Sequence, residues 1–377
     1  MQIVPYIFLS LILFIYIIFM SILYIKFEKL VTRKREEKIS NIENEIIENI
    51  KTQVLKVTNN NNLSKDEILY VKKILRKSKS RQAFNNIISE LNDVKSSKYD
   101  ISKFMINYLE VIEYEIKKYR KKDSIKKCYF ILNLGEYKVN TLEIQKFLIE
   151  CLEDNSLYVR YNALNSIARI GKKENFIEAL IYMSKNKIYL NNKVFIEVLD
   201  KFKNNYEVNK ELLKNLDKLS AEIQCLIIDS FSKNKFDFCK ESILMKLKEE
   251  SHREVRISII KYFGNNYYDE AQDSLIKLLS SKWWEERAMA AKSIGKYYSF
   301  EVENSLKESI KDENWYVRLN SASSILENNC TKEIVKEVLN SEDKYAKEIL
   351  LYVLQQKNKT LYDKILDYKD GRMALTC

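Results

Sequence analysis

Two ten-residue stretches, far apart in the chain, share one pattern: Asp154-Asn-Ser-Leu-Tyr-Val159-Arg160-Tyr-Asn-Ala163 and Asp312-Glu-Asn-Trp-Tyr-Val317-Arg318-Leu-Asn-Ser321. Each begins with an aspartate and places an arginine directly after a valine, at the seventh position. The polar start and the apolar residues that follow are typical of a turn that leads into an amphipathic helix. A pattern of this length that recurs within one chain predicts repeats.

Further copies become visible when the chain is aligned on a basic or polar residue near the start of the second helix of each pair. The successive steps between the aligned residues are 34, 33, 31, 32, 31, 31 and 29 residues. A period of about 30 to 34 residues with helix-turn-helix content is the signature of an α-solenoid. The aligned residues are Lys126, Arg160, Lys193, Gln224, Arg256, Arg287, Arg318 and Lys347.

These stretches resemble the bacterial HEAT-like repeats, the type also found in phycobilisome lyases, over about Asp123 to Asp367. The resemblance implies an all-α fold in which helix pairs stack into a solenoid. It also implies that Asp and Arg side chains at the intra-repeat turns form a polar ladder with a structural role. By match, that role falls to Asp154, Arg160, Arg256, Arg287, Asp312 and Arg318.

One departure from the family concerns the residue three places before the arginine, where the family often has proline. This chain has other residues there: Leu157, Arg253, Trp284 and Trp315. Trp284 and Trp315 lie in adjacent repeats, so both rings should project from the same edge of the solenoid, with Trp283 and Tyr316 beside them. Two interpretations stay open: the rings cover the core between repeats, or they form an exposed partner-binding surface.

Glycines provide a further local prediction. Gly135, Gly171, Gly264 and Gly295 fall at or near the ends of second helices. Because glycine adopts the left-handed conformation most easily, we expect these residues to serve as C-caps.

The most hydrophobic stretch runs from Ile3 to Ile25 and contains no charged residue. As a helix it spans about 30 Å, the thickness of a bilayer core, with Tyr6 and Tyr24 near its two ends. A cleaved signal peptide would have a basic start and a shorter apolar core, and a buried helix is rarely apolar on every face. We therefore predict a transmembrane anchor over residues 1–25.

Basic residues follow the anchor directly, and they predict its orientation. A cytoplasmic flank is rich in Lys and Arg, so we expect a single-pass protein of the cell membrane with its N-terminus outside and its C-terminal domain in the cytoplasm. The flanking residues are Lys26, Lys29, Arg33, Lys34, Arg35 and Lys38.

Three further segments are predicted after the anchor. Residues 26–63 form a juxtamembrane stalk helix and an Asn-rich linker, residues 64–122 a basic helical region that caps the solenoid, and residues 123–377 the repeats. An apolar stripe that includes Ile39, Ile46 and Val57 indicates the stalk or a short coiled coil. Ser64 and Glu67 have capping-box spacing.

Net positive charge is concentrated between the anchor and the repeats. Residues 26–127 carry 25 Lys/Arg against 15 Asp/Glu, whereas residues 128–377 carry 39 against 38. Basic segments near an anchor are attracted to anionic lipid, although a plain solvated surface and a nucleic-acid site stay open. The near-neutral repeats make nucleic acid the less favoured partner. The predicted lipid-contact residues are Arg33, Lys34, Arg35, Lys72, Lys73, Arg76 and Lys77.

Composition argues against the common enzyme classes. The chain has five Gly, one Pro and one His, His252, and it has no P-loop, GxGxxG or metal motif. Its six cysteines show no CxxC spacing. We therefore expect no enzymatic activity, no cofactor and no metal site.

The function expected from these features is that of a membrane-anchored cytoplasmic scaffold or adaptor that binds a partner protein through its repeats. The partner is expected in the same membrane, and an envelope glycosyltransferase is one candidate. The alternatives are a HEAT-like lyase or ligand carrier and a membrane-tethered nucleic-acid binder. Richness in Ile, Lys, Asn and Tyr indicates an AT-rich genome, as in many bacteria.

Overall fold

The computed structural model describes residues 4–93, 98–250, 252–327 and 332–369. Within these ranges the regular structure is helical and contains no strand, and one long apolar helix precedes the stacked helix pairs. The predicted all-α solenoid is therefore confirmed. Contacts divide the chain into two compact units, of which unit 1 ends at Phe176 and unit 2 begins at Ile177.

Unit 1 is a stack in which α1, α3, α6 and α8 contact one another in that order. A short 3₁₀ turn, Ile106–Tyr108, joins α4 to α5. The helices are α1 (Val4–Thr58), α2 (Lys65–Arg76), α3 (Ser78–Asp93), α4 (Ile101–Met105), α5 (Leu109–Tyr119), α6 (Ser124–Tyr137), α7 (Leu142–Cys151) and α8 (Leu157–Ile170).

Unit 2 is likewise a stack, with α10, α12, α14, α16, α18 and α20 in successive contact. The division between the units falls inside α9 (Lys173–Lys185). The other helices are α10 (Asn192–Asp200), α11 (Tyr206–Lys214), α12 (Ala221–Lys233), α13 (Lys240–Glu249), α14 (Arg253–Asn265), α15 (Gln272–Leu278), α16 (Trp284–Ser293), α17 (Phe300–Ser309), α18 (Trp315–Glu327), α19 (Lys332–Asn340), α20 (Lys344–Lys357) and α21 (Lys359–Lys369). Short 3₁₀ turns lie at Leu216–Lys218, Asp269–Ala271 and Ile294–Lys296.

Polar side chains start many of these helices, because the first N–H groups of a helix have no partner within it. The predicted capping box is confirmed: the Ser64 hydroxyl accepts from the Glu67 N–H, and the Glu67 carboxylate accepts from the Ser64 N–H. Other N-cap side chains that accept such a bond are Asp100, Asp123, Thr141, Asn191, Asn205, Ser299 and Asp343.

The first helix has two different halves. From Leu11 to Val31 its large apolar side chains are exposed, and α1 is the one helix among the described residues that is long and apolar enough to cross a membrane. Beyond that point the predicted apolar stripe is buried in unit 1, where α1 packs on α3 and α4. The second half of α1 is thus the first member of the helix stack.

The prediction for the glycines is confirmed at Gly171, which ends α8 with φ of 78°, and is wrong for the other three. Gly135, Gly264 and Gly295 lie within helical turns, where they let the next stacked helix approach closely. A Cβ atom on Gly264 would lie 2.5 Å from the Ser293 hydroxyl oxygen. These three glycines are required by close packing rather than by backbone conformation.

Candidate functional site

Four aromatic residues form a continuous exposed surface at the starts of α16 and α18. We call this surface, made of Trp283, Trp284, Trp315 and Tyr316, the aromatic strip. Trp284 and Trp315 are the first residues of their helices, and Trp283 is the N-cap of α16. Between 41% and 55% of each residue's surface is exposed, so these side chains are not buried between the repeats.

Three rings of the aromatic strip, those of Trp284, Trp315 and Tyr316, contact one another across the two repeats. Tyr316 stacks on Trp284 with ring centroids 5.6 Å apart, and it meets Trp315 edge-on at 5.1 Å. The repeat register therefore brings the two tryptophans to one edge, as their spacing predicts. Because these three rings hold one another in place, they would lose less side-chain entropy in an interface than isolated aromatic residues would.

Cationic groups border the aromatic strip. The guanidinium of Arg253 and the ammonium of Lys282 both lie over the ring of Trp283, at 5.2 and 5.1 Å from its centroid. In the following repeat Arg318 lies 5.3 Å from the ring centre of the exposed Tyr345. Cation–π contacts of this kind fix the orientation of the rings and place positive charge beside them.

The ladder arginines share one geometry at the fourth residue of their helices. In each of them Nη1 donates to the backbone carbonyl six residues earlier, in the turn that follows the preceding helix. This bond provides a partner for a carbonyl of the turn, which belongs to the hydrogen-bond ladder of neither helix. The donors are Arg160 to Asp154 O (3.0 Å), Arg256 to Glu250 O (3.3 Å), Arg287 to Ser281 O (2.9 Å) and Arg318 to Asp312 O (2.8 Å).

Two of these arginines also bind a carboxylate of the next repeat. Arg256 binds Glu286, with Nε and Oε1 2.7 Å apart, and Arg287 binds Asp312 with the same shortest distance to Oδ2. Within the described ranges, the Nε atoms of Arg160 and Arg318 have no hydrogen-bond partner. Among the described residues, an ion pair between the side chains of an acidic and a basic ladder residue is formed only by Arg287 and Asp312.

The carboxylate of Asp154 forms an ion pair with a lysine and not with an arginine. Lys127 Nζ lies 2.6 Å from its carboxylate, whereas the aligned Lys126 binds Asp123 in its own turn. Burial acts to raise the pKa of Asp154, but the Lys127 ammonium, the Ser156 N–H and nearby charge outweigh it and hold this pKa below its usual value. Lys127, and not Lys126, is the fourth residue of its helix.

Arg81 has the ladder geometry although it lies in the predicted capping region. It is the fourth residue of α3, its Nη1 donates to Leu75 O at 3.3 Å, and the same atom lies 3.0 Å from the Glu115 carboxylate. A basic residue near the start of a helix, shortly after a turn, was a usable signal. The 45-residue step from Arg81 to Lys126 concealed it, because α4 and its 3₁₀ turn lengthen this repeat.

The predicted lipid-contact residues lie in α1 and at the end of α2. Lys34, Lys73, Arg76 and Lys77 are exposed and make no ion pair among the described residues. The other three have neighbouring partners: Arg33 with Glu37 (3.1 Å), Arg35 with Gln82 (3.1 Å) and Lys72 with Glu110 (2.9 Å).

Other reactive groups are dispersed. His252 Nδ1 lies 3.3 Å from the Glu254 carboxylate on the surface. The described cysteines, Cys128, Cys151, Cys225 and Cys239, are free thiols, whereas Cys330 and Cys377 lie outside the described residues. Burial raises the pKa of Cys151 to about 12, so this thiol is a poor nucleophile at neutral pH. No group of three potential metal ligands occurs in the part of the chain that the structure describes.

Comparison with known proteins agrees with this geometry over part of the chain. No curated protein matches the sequence. Proteins with HEAT repeats generally act as non-catalytic scaffolds that bind other proteins. Residues 241–326, which include the aromatic strip and the bond between Arg287 and Asp312, match the family described as HEAT repeats.

Proposed function

We propose that this protein is a single-pass membrane protein whose cytoplasmic repeats capture a partner protein, without catalysis, on the aromatic strip. The observation that carries the proposal is the contiguous set of exposed rings on two successive repeats. Exposed clusters of Trp and Tyr are typical of interface hot spots, since they bury much apolar area at a low entropic cost.

The membrane part of the proposal is supported by the exposed apolar half of α1. Large side chains on every face of this segment, from Leu11 to Val31, have no protein neighbour to cover them. Exposure of this area to water is unfavourable by about 25 cal/mol for each Å², whereas a bilayer would cover it. The basic residues after Ile25 favour a cytoplasmic location for the repeats.

The proposed mechanism is local concentration. The anchor would hold the repeats at the membrane, and the strip would then bind a partner confined to the same surface. A protein of the same membrane is therefore the partner class we propose, with an envelope glycosyltransferase as one candidate.

The test is a cross-linked pull-down of the full-length protein from detergent-solubilised native membranes, beside the variant Trp284→Ala/Trp315→Ala. We expect one membrane protein in the wild-type sample and at least a tenfold loss in the variant, as removal of two aromatic hot spots implies. Alkaline extraction of the same membranes tests the anchor, because only an integral protein stays in the pellet.

A matched control uses another exposed aromatic residue. Tyr158 is the second residue of α8, as Tyr316 is of α18, but it lies outside the strip. Tyr158→Ala should leave capture unchanged, whereas Tyr316→Ala should reduce it. A nucleic acid or a coloured ligand that copurifies in place of a protein would contradict the scaffold and favour one of the two alternatives.

A further inference from the structure

We infer that one edge of unit 1 binds the anionic headgroups of the membrane that α1 enters. This basic edge consists of two intra-repeat turns and their flanks, residues 76–81 between α2 and α3 and residues 117–126 between α5 and α6. The inference rests on the proposed function in one respect, namely that α1 crosses the bilayer. It adds a second contact that would fix the orientation of unit 1 on the membrane.

The direction of α3 places the first of these turns on the side of unit 1 that faces the apolar half of α1. Arg35 Nη2 donates to Gln82 Oε1 at 3.1 Å, and Asn86 Nδ2 donates to Glu43 Oε2 at the same distance. Residue numbers thus rise together along both helices, so α3 runs parallel to α1. The N-terminal end of α3, with the α2–α3 turn, therefore points toward the membrane.

The second turn lies on the same edge. Arg81, in the first turn of α3, lies 3.0 Å from the carboxylate of Glu115, which precedes the end of α5 by four residues. The C-terminal end of α5 is therefore next to the N-terminal end of α3. Because α6 starts at Ser124, directly after this end, the α5–α6 turn shares the edge with the α2–α3 turn.

The distance to the bilayer is within electrostatic range. Arg35 follows Ile25 by ten residues, which is about 15 Å along a helix axis. The headgroup layer occupies about 5 to 8 Å of this distance. The remainder is close to one Debye length at physiological ionic strength, and lysine and arginine side chains extend into it.

Charge on the intra-repeat turns changes with distance from α1. Residues 72–81 contain six Lys/Arg and no acidic residue. The α7–α8 turn, next in the stack, instead contains Glu153 and Asp154. Within unit 1, net positive charge on the intra-repeat turns is therefore confined to the two turns nearest the anchor, as contact with an anionic plane requires. The exposed basic residues of the edge that make no ion pair in the described ranges are Arg76, Lys77, Lys79, Lys117, Lys121 and Lys122.

An apolar side chain accompanies these charges. Ile125 is 83% exposed in the first turn of α6, between Lys122 and Lys126. Exposure of a large aliphatic group beside lysines is unfavourable in water, but it is typical of surfaces that lie in the headgroup region of a membrane. Ile125 distinguishes the basic edge from a merely solvated charged surface and makes lipid the occupant we favour over nucleic acid.

The experiment is amide hydrogen exchange on the full-length protein in two kinds of nanodisc, one of phosphatidylcholine and one that also contains phosphatidylglycerol. We expect exchange at residues 76–81 and 117–126 to be at least about threefold slower with the anionic lipid, and 0.5 M NaCl should remove the difference. Arg76→Gln/Lys77→Gln/Lys79→Gln should abolish this protection, and Ile125→Asn should reduce it.

The control variant, Lys98→Gln/Lys138→Gln/Lys172→Gln, removes the same charge from the turns at the other end of the unit 1 helices and should keep the protection. Equal exchange in both lipids would overturn the inference, and so would a loss of protection in the control. Stronger protection by nucleic acid than by lipid would overturn it as well. Alkaline extraction tests separately whether α1 is a membrane anchor, and the pull-down tests separately whether the aromatic strip binds a partner. Failure of the lipid contact can therefore be distinguished from failure of the proposed function.

Discussion

Two regions of unit 2 stack their second helices in the same way but have different residues at the fourth position of those helices. In residues 240–327 the fourth position of α14, α16 and α18 is always an arginine, which donates to a backbone carbonyl of the turn before its helix. In residues 192–233 the same position holds Phe195 in α10 and Gln224 in α12. Both regions nevertheless stack their second helices.

The central region relies on apolar contact and on amides. Phe195 is buried. Gln224 Nε2 donates to Leu219 O at 2.8 Å, a bond that spans five residues where the arginine bonds span six. Asn209 Nδ2 donates to Phe202 O at 2.7 Å across a neighbouring turn. The comparison teaches that burial of apolar faces is sufficient for the solenoid, and that the arginine network adds a defined connection between successive turns.

The largest effect is expected from Arg287→Met, which removes the network where it is most complete. The variant leaves Asp312, only 11% exposed at its side chain, without its cation and should cost about 3 kcal/mol in the free energy of unfolding. All three tryptophans lie at positions 283, 284 and 315, so the fluorescence of urea-treated protein in detergent reports on this region directly. Arg318→Met, which breaks bonds to two backbone carbonyls but none to a carboxylate among the described residues, should cost about 1 to 2 kcal/mol, less than Arg287→Met. Equal costs would contradict the importance of the carboxylate bond.

The next effect concerns helix spacing in the regular region. Gly264→Ala would place Cβ 2.5 Å from Ser293 Oγ and 3.0 Å from Ser293 Cα, and it should destabilise the protein by about 1 to 3 kcal/mol through overpacking. Ser293→Gly in the same chain should recover part of this loss, since it removes the nearest atoms. If the second substitution adds to the loss instead, the close approach is not the cause. Circular dichroism during heating provides the measurement.

A smaller effect is expected in the central region. Gln224→Ala removes one hydrogen bond to Leu219 O and should cost about 1 kcal/mol, roughly a third of the loss at Arg287. Gln224→Met keeps the side-chain volume and separates the bond from packing. A loss as large as that of Arg287→Met in the same urea titration would mean that the two regions depend equally on polar contacts.

The smallest effect should be a change in pH dependence at Asp154, where lysine replaces arginine as the cation. Because the pKa of Asp154 is lowered on folding, its contribution to stability is present above the unfolded value of about 4 and is lost as the pH falls through the folded value. Asp154→Asn should therefore flatten the loss of stability below about pH 4. Urea midpoints at pH 7 and at pH 3 measure this, and an unchanged acid slope would argue against the linkage.

The repeat period predicted much of the fold, whereas contacts between distant residues were harder to derive. Spacing alone aligned Arg256, Arg287 and Arg318, because one helix pair has a nearly constant length. It missed Arg81, whose repeat is lengthened by α4, and it chose Lys126 where Lys127 makes the contact. The insertion of α4 shifts the register at Arg81 without a change in composition, whereas Lys126 and Lys127 are adjacent and chemically alike, so an approximate period does not distinguish them.

The surface residues show the same limit. The spacing of Trp284 and Trp315 predicts a common edge, but their exposure depends on how far the preceding turn extends from the core, which no local pattern encodes. The role of Gly264 also depended on a helix 29 residues away, at Ser293. The amino acid required at such a position is determined by the helix packed against it and not by the conformational preference of the residue itself.

The continuity of α1 has a mechanical consequence. Its 55 residues form a rod about 80 Å long with no joint between the exposed apolar half and the half that is buried in unit 1. A body attached in this way cannot swing freely as it would on a flexible tether. If the apolar half spans a bilayer, unit 1 stays at a fixed distance from the membrane surface, and its main remaining motion is rotation about the axis of α1. The positions at which it can meet a partner then form a ring around that axis. Two glycines inserted at Lys29 would introduce a flexible joint and let unit 1 move over a hemisphere, so that it would meet a membrane-bound partner less often.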